Sequence, residues 1–240
     1  MMPKQHDHAL IVFCRTPDIV RDDISVPFAS LPWEDIDALF TAFIEDLLAT
    51  MRHLSGIDVL VYRNPEELPD DFFSSFRQMI QLYDIENRIF SHTVEHAIDS
   101  AFQSGYQSVV VLLDNSPLIT PEFLQKAFDQ LGYEDDCFVV CPTLEGRCAM
   151  VGMKSNYSKV FDTGGGDPVL QPNVLMQRLC AIEAHLFLFD AVHSLDSADG
   201  LSMLREEVAR SNSAVSYFPS RTKEIFEKLG KKYGRRKVNR

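Results

Sequence analysis

Val109-Val110-Val111-Leu112-Leu113-Asp114-Asn115-Ser116-Pro117 decides the fold. Apolar residues in an unbroken run, with no in–out alternation, suit a strand buried on both faces, as in a parallel sheet covered by helices. The run stops at a carboxylate and a turn. Four more runs share this form: Ala9–Cys14, Ile57–Tyr62, Phe138–Cys141 and Leu186–Phe189. The residues just past the runs include Arg15, Asp114, Glu145 and Asp190. In an open α/β sheet, ligands sit outside the carboxyl ends of the strands. The stopping points therefore predict one site.

Helical periodicity fills the gaps. Ile36, Leu39, Phe40, Phe43, Ile44, Leu47, Leu48 and Met51 form an apolar stripe at helical spacing. The spacing predicts further helices over Asp70–Leu82, His92–Gln103, Pro121–Leu131, from Pro172, over Asp196–Ala209 and in the C-terminal tail. Thr120-Pro121 has the form of an N-cap followed by Pro at the first helical position. Short strands are predicted over Asn87–Phe90, Cys148–Met153 and Val215–Phe218. Strands alternating with helices imply right-handed βαβ units and a mostly parallel sheet. A single domain over residues 1–220 is expected, with residues 221–240 as a basic, partly helical tail.

The 240 residues are 45% hydrophobic and 24% charged, ordinary for a globular chain. The net charge of −12 is unevenly placed. Residues 221–240 carry nine Lys/Arg and two Asp/Glu, which leaves 14 basic and 33 acidic side chains for the rest. So acidic a body argues against nucleic-acid binding. The tail reads as a solvated end or as a contact for phosphate or an acidic surface. Five cysteines, an odd number, suit a reducing compartment better than a disulfide framework. The first apolar run is too short for a signal peptide or a membrane span. A cytoplasmic protein is expected.

Several motifs each allow two readings. Asp114, directly after the most apolar strand, could hold Mg²⁺ or Mn²⁺ together with Asn115 and Asp196, or could cap the turn. Glu145-Gly146-Arg147 could be a hairpin turn or could bring Glu145 to a sugar. Gly164-Gly165-Gly166 before a helix is a flexible loop or a phosphate cradle, without the Lys-Ser/Thr of a P-loop. His92-Thr93-Val94-Glu95-His96 spells HxxEH, which is a zinc-peptidase pattern or a solvated helix start.

Taken together, the segments from Ala9 to Leu204 resemble a bacterial family of GT-A-like transferases of unassigned function, associated with radical-SAM enzymes and related to nucleotide-diphospho-sugar transferases. Cys14-Arg15-Thr16-Pro17 is similar to the end of the family's first strand, A-K-x-P. Ala101-Phe102-Gln103-Ser104-Gly105-Tyr106 matches A-F-x-x-G-Y, and Pro117-Leu118-Ile119-Thr120-Pro121 matches P-x-L-T-P. Cys141-Pro142-Thr143-Leu144-Glu145-Gly146 and Met150-Val151-Gly152-Met153 track G-P-x-x-D-G-G-Y-Y-L-I-G-L, with D-G-G-Y replaced by Glu145-Gly146-Arg147-Cys148. Ser194-Leu195-Asp196-Ser197 resembles D-V-D-T.

The resemblance implies a three-layer α/β/α sandwich of GT-A type, a nucleotide-sugar donor and a divalent metal, Mg²⁺ or Mn²⁺. It implies a metal on Asp114, Asn115 and Asp196, a nucleotide at Arg15, Thr16 and Pro17, and an acceptor at Glu145. The chain departs from the family at the chemistry. The basic phosphate loop expected after Pro17 is Asp18-Ile19-Val20-Arg21-Asp22-Asp23-Ile24, and Asn115 stands at the metal position. The alternative is a non-catalytic binding or scaffold protein on the same fold.

Overall fold

The computed structural model describes residues 4–14, 31–85, 90–162, 172–195, 198–210 and 217–233. Its strands are β1 (His8–Phe13), β2 (Ile57–Arg63), β3 (Ile80–Asp84), β4 (Ser108–Leu112), β5 (Cys137–Pro142), β6 (Cys148–Met153) and β7 (His185–Leu188). Its helices are α1 (Trp33–Met51), α2 (Phe90–Gln103), α3 (Pro121–Leu131), α4 (Pro172–Cys180), α5 (Ala198–Arg210) and α6 (Ser220–Tyr233). The chain divides into two compact units, neither continuous in sequence. One comprises Met1–Cys14, Leu54–Asp114 and Glu122–Ser194, the other Arg15–His53, Asn115–Pro121 and Leu195–Arg240.

The first unit holds the sheet, in the order β3-β2-β1-β4-β6-β5-β7. β1 pairs in parallel with β2 and β4, β2 with β3, and β5 with β7. β6 alone runs antiparallel, between β4 and β5. Strand alternation sends the two sets of side chains to opposite faces. Ala9, Ile11, Val109, Val111 and Val151 pack with Val94, Ala97 and Ile98 of α2 and with Leu175 and Leu179 of α4. On the other face, Leu131 of α3 closes over Gly152, Val110 and Val139. This is the mostly parallel α/β/α arrangement expected from the sequence.

The second unit is helical. Ile36, Leu39, Phe40 and Phe43 of α1 pack with Leu204 and Val208 of α5 and with Phe226 of α6. The Asp46 carboxylate of α1 accepts the first-turn N–H groups of α6, from Arg221 at 3.1 Å and Thr222 at 2.7 Å. The apolar stripe read in α1 is the face that builds this core.

One local expectation is corrected in full, and two at their described residues alone. Asp70–Leu82 is not a helix but one 3₁₀ turn, Asp70–Phe73, followed by β3. Phe72, Phe73, Phe76, Met79 and Ile80 carry helical spacing. Pairing of Val59 with Ile80 and of Val61 with Leu82 overrides it. Phe90 opens α2 rather than ending a strand, and residues 87–89 lie outside the described ones. Tyr217 and Phe218 lead into α6 and form no strand. Val215, Arg15, Thr16, Pro17, Asp196 and the Gly164–Gly166 loop also lie outside the described residues. Among those described, no helix is long and apolar enough to cross a membrane.

Candidate functional site

The strand order runs outward from β1, to β2 on one side and to β4 on the other. Such a reversal opens a crevice at the carboxyl ends of the two central strands. β4 ends there, and Asp114 follows it, buried. Across β6, Cys141 lies near the end of β5, and its thiol donates to the Asp190 carbonyl at 3.4 Å just past β7. Burial and then the Asp114 charge push the Cys141 thiol up to about 12, with a smaller push from Asp190. Asp114 and Asp190 thus act on one buried thiol at one end of the sheet.

Glu145 belongs to the same end. Gly146 takes φ 81°, the left-handed region that glycine tolerates, and turns β5 back into β6. The turn is closed by Thr143 N–H to Arg147 C=O at 2.7 Å and by Arg147 N–H to Thr143 Oγ1 at 2.9 Å. It is also knitted to the segment after β7. Leu144 N–H donates to Val192 C=O at 2.8 Å, and Val192 N–H to Pro142 C=O at 3.0 Å. Glu145 then reaches back: Oε2 accepts the Ser194 N–H at 2.8 Å, and Oε1 lies 3.1 Å from His193 Nδ1. The hairpin-turn reading holds, and the turn fixes the direction of the Glu145 carboxylate.

His193 is the residue that sequence reasoning missed. The signal was present, since it follows the β7 stop at Asp190 by three positions, but the pairing with Glu145 spans 48 residues. An imidazole fixed through Nδ1 by a carboxylate keeps Nε2 for a proton.

Of the expected metal set, Asp114 stands at the sheet end, Asn115 falls in the second unit, and Asp196 lies outside the described residues. Among the described residues no group of three His, Cys, Asp or Glu side chains is arranged to hold a metal. A buried carboxylate still fits Mg²⁺ or Mn²⁺, which bind through few protein carboxylates and substrate phosphates. In the HxxEH stretch, Glu95 is ion-paired with Lys159 at 2.5 Å.

The model of a family described as an uncharacterized protein conserved in bacteria, DUF2064, matches residues 47–164. No curated protein matches the chain. Among solved structures, the chain is similar to a proposed nucleotide-diphospho-sugar transferase from Desulfovibrio desulfuricans G20. That likeness has 17% identity and a TM-score of 0.74, covering 95% of this chain and 96% of the other. It is similar to the 4-diphosphocytidyl-2C-methyl-D-erythritol synthase of Anaerococcus prevotii DSM 20548, at 9% identity and TM-score 0.57, covering 84% and 96%. A proposed glucose-1-phosphate thymidylyltransferase from Bacillus anthracis matches at 10% identity and TM-score 0.51, covering 88% and 98%. The chain resembles the DUF2064 family over residues 47–164 and has the α/β fold of the nucleotide-diphospho-sugar transferases.

Proposed function

We propose that the protein transfers a nucleotidyl or glycosyl group from a phosphate-bearing nucleotide donor to an acceptor hydroxyl. The observation that carries this reading is the buried Asp114 at the carboxyl end of β4, beside the sheet's switch point, on a nucleotide-diphospho-sugar transferase fold. Arg15, Thr16 and Pro17, which follow β1, are assigned to the nucleotide. Asp114, with Asn115 and Asp196, is assigned to a Mg²⁺ or Mn²⁺ ion, which would neutralise the donor phosphates. Glu145 serves the acceptor side through His193: it orients the imidazole, whose Nε2 takes the acceptor's proton as the hydroxyl oxygen bonds to the transferred group and the donor's bond to its phosphate leaving group breaks.

One feature of the sequence favours the non-catalytic alternative. Asp22 and Asp23 stand in the segment where the resembled family carries its basic phosphate loop, and they would repel a diphosphate. Calorimetric titration with UDP-, GDP-, CDP- and ADP-sugars, with and without Mn²⁺, separates the two. Metal-dependent binding by one donor, weakened at least tenfold (about 1.4 kcal/mol) in Asp114→Ala, is the expected outcome. Absence of binding by every donor in both conditions supports the scaffold reading.

A further inference from the structure

A cavity of about 480 Å³ opens between α2 and the β2–β3 edge of the sheet. It shares no residue with the Asp114–Glu145 end. Its volume is in the range of small-molecule sites, roughly 300–1,000 Å³. One wall is aromatic, with the Tyr62 and Tyr83 rings stacked at 4.9 Å and 12°. The wall is held in place by a directional chain of hydrogen bonds. Tyr83 Oη donates to Gln81 Oε1 at 3.1 Å, Gln81 Nε2 donates to Tyr106 Oη at 3.3 Å, and Tyr106 Oη donates to the buried Asp58 Oδ2 at 2.9 Å. Asp58 is held in turn by the Gln5 and His6 N–H groups at 2.8 and 3.2 Å. The opposite wall is one face of α2, which brings His92, His96 and Ser100 to the cavity, with Ser104 just past its end.

The charge of the lining selects the ligand. None of the described lining residues is Lys or Arg. The single carboxylate, Asp84, has an oxygen 3.1 Å from Arg63 Nε. The described lining residues offer a phosphate no lysine or arginine of their own, whereas a ring would find the half-buried Tyr83 and imidazole and hydroxyl groups able to donate and accept. We propose that this cavity is a second small-molecule site, which takes an uncharged, hydroxyl-bearing ring, either a sugar or a nucleoside, between the Tyr62–Tyr83 stack and the His92–His96 face of α2. The histidines of the HxxEH stretch are then ligand contacts and not zinc ligands. The proposal does not depend on the transferase reading.

Saturation-transfer NMR on the full chain tests it, with methyl α-glucopyranoside in one arm and adenosine and uridine in the other. Saturable binding in one arm is expected and identifies the source of the ring. It should weaken at least tenfold in Ser100→Trp, which fills the cavity, and severalfold in His96→Ala, which removes an exposed side chain and leaves the fold intact. Asp114→Ala should leave it unchanged, and inorganic phosphate should not compete. No saturable binding in either arm overturns the proposal. So does binding that survives both cavity substitutions, or binding that Asp114→Ala abolishes.

Discussion

Asp46 shows how much one side chain can carry unseen in a sequence. It sits within an apolar stripe, is 5% exposed, and accepts N–H groups from Arg221 and Thr222, 175 and 176 residues further on. Removing it orphans the N–H of Thr222, which is itself fully buried. Asp46→Ala should therefore cost about 1–3 kcal/mol in urea unfolding. Asp46→Asn, which keeps an acceptor oxygen, should cost less than half of that, and equal losses would remove the capping role. The cysteines give a second test. Cys14, Cys137, Cys141 and Cys148 are buried, and only Cys180 is exposed. Burial pushes the Cys141 and Cys148 thiols up to about 12, which starves them of thiolate near neutral pH. One of the five thiols should react with Ellman's reagent at pH 8 in the folded protein, and all five in guanidinium. Two or more fast native thiols would contradict this packing. Asp114 was legible because a carboxylate ending an apolar strand is a local pattern. His193 was not, because its partner Glu145 is fixed only by the knitting of two strand ends.

Strands that are buried on both faces announce themselves, and the runs at β1, β2, β4 and β5 were readable to within a residue or two of their ends. β7, an exposed edge strand, was readable because Leu186, Phe187 and Leu188 run on without interruption. β3 was not, because Gln81 interrupts its apolar residues and Asp84 ends them. Only Ile80 is buried, and Gln81, Leu82 and Tyr83 are half-buried, so no continuous apolar run marks it. Its helical spacing came from the preceding turn; Asp70 of that turn and Asp84 at the end of β3 both engage the buried Arg63 of β2. The antiparallel β6 was visible as a return after a Gly turn, but its place between β4 and β5 was not. Gly152 explains how β6 fits there. A Cβ at this position would meet Leu131 Cδ1 at 3.1 Å, Val110 Cγ2 at 3.2 Å and Val139 Cβ at 3.4 Å. Contacts that close force α3 or the neighbouring strands to give. Gly152→Ala should destabilise the protein by about 1–3 kcal/mol, read as a lower urea midpoint at unchanged slope. A neutral result would mean that α3 sits less tightly on β6 than these distances require.

Across the whole chain, charge is the property most easily misread. The C-terminal stretch is strongly basic and looks dispensable, yet α6 within it completes the apolar core of the helical unit. Phe218, Ile225 and Phe226 pack against a cluster that includes the fully buried Leu39 and Phe43. Lys232 adds an ion pair to Asp35 of α1 at 2.8 Å, and Tyr233 hydrogen-bonds the same carboxylate. The exposed cations account for the charge, whereas the contribution to stability comes from apolar burial, at roughly 25 cal/mol per Å² of surface removed from water. These two contributions respond differently to salt, since screening weakens exposed pairs and leaves burial untouched. Deleting residues 217–240 should therefore lower the melting temperature by more than about 5 °C. It should also raise binding of an apolar dye, because the α1 face loses its cover. Adding 0.5 M NaCl to the intact protein should produce neither effect. If salt alone reproduced the loss, the stretch would act as an electrostatic tail, and the core contacts of Phe218, Ile225 and Phe226 would carry little of the stability. If the deletion melted like the full chain, α6 would be dispensable to the helical unit, contrary to the packing of its apolar face.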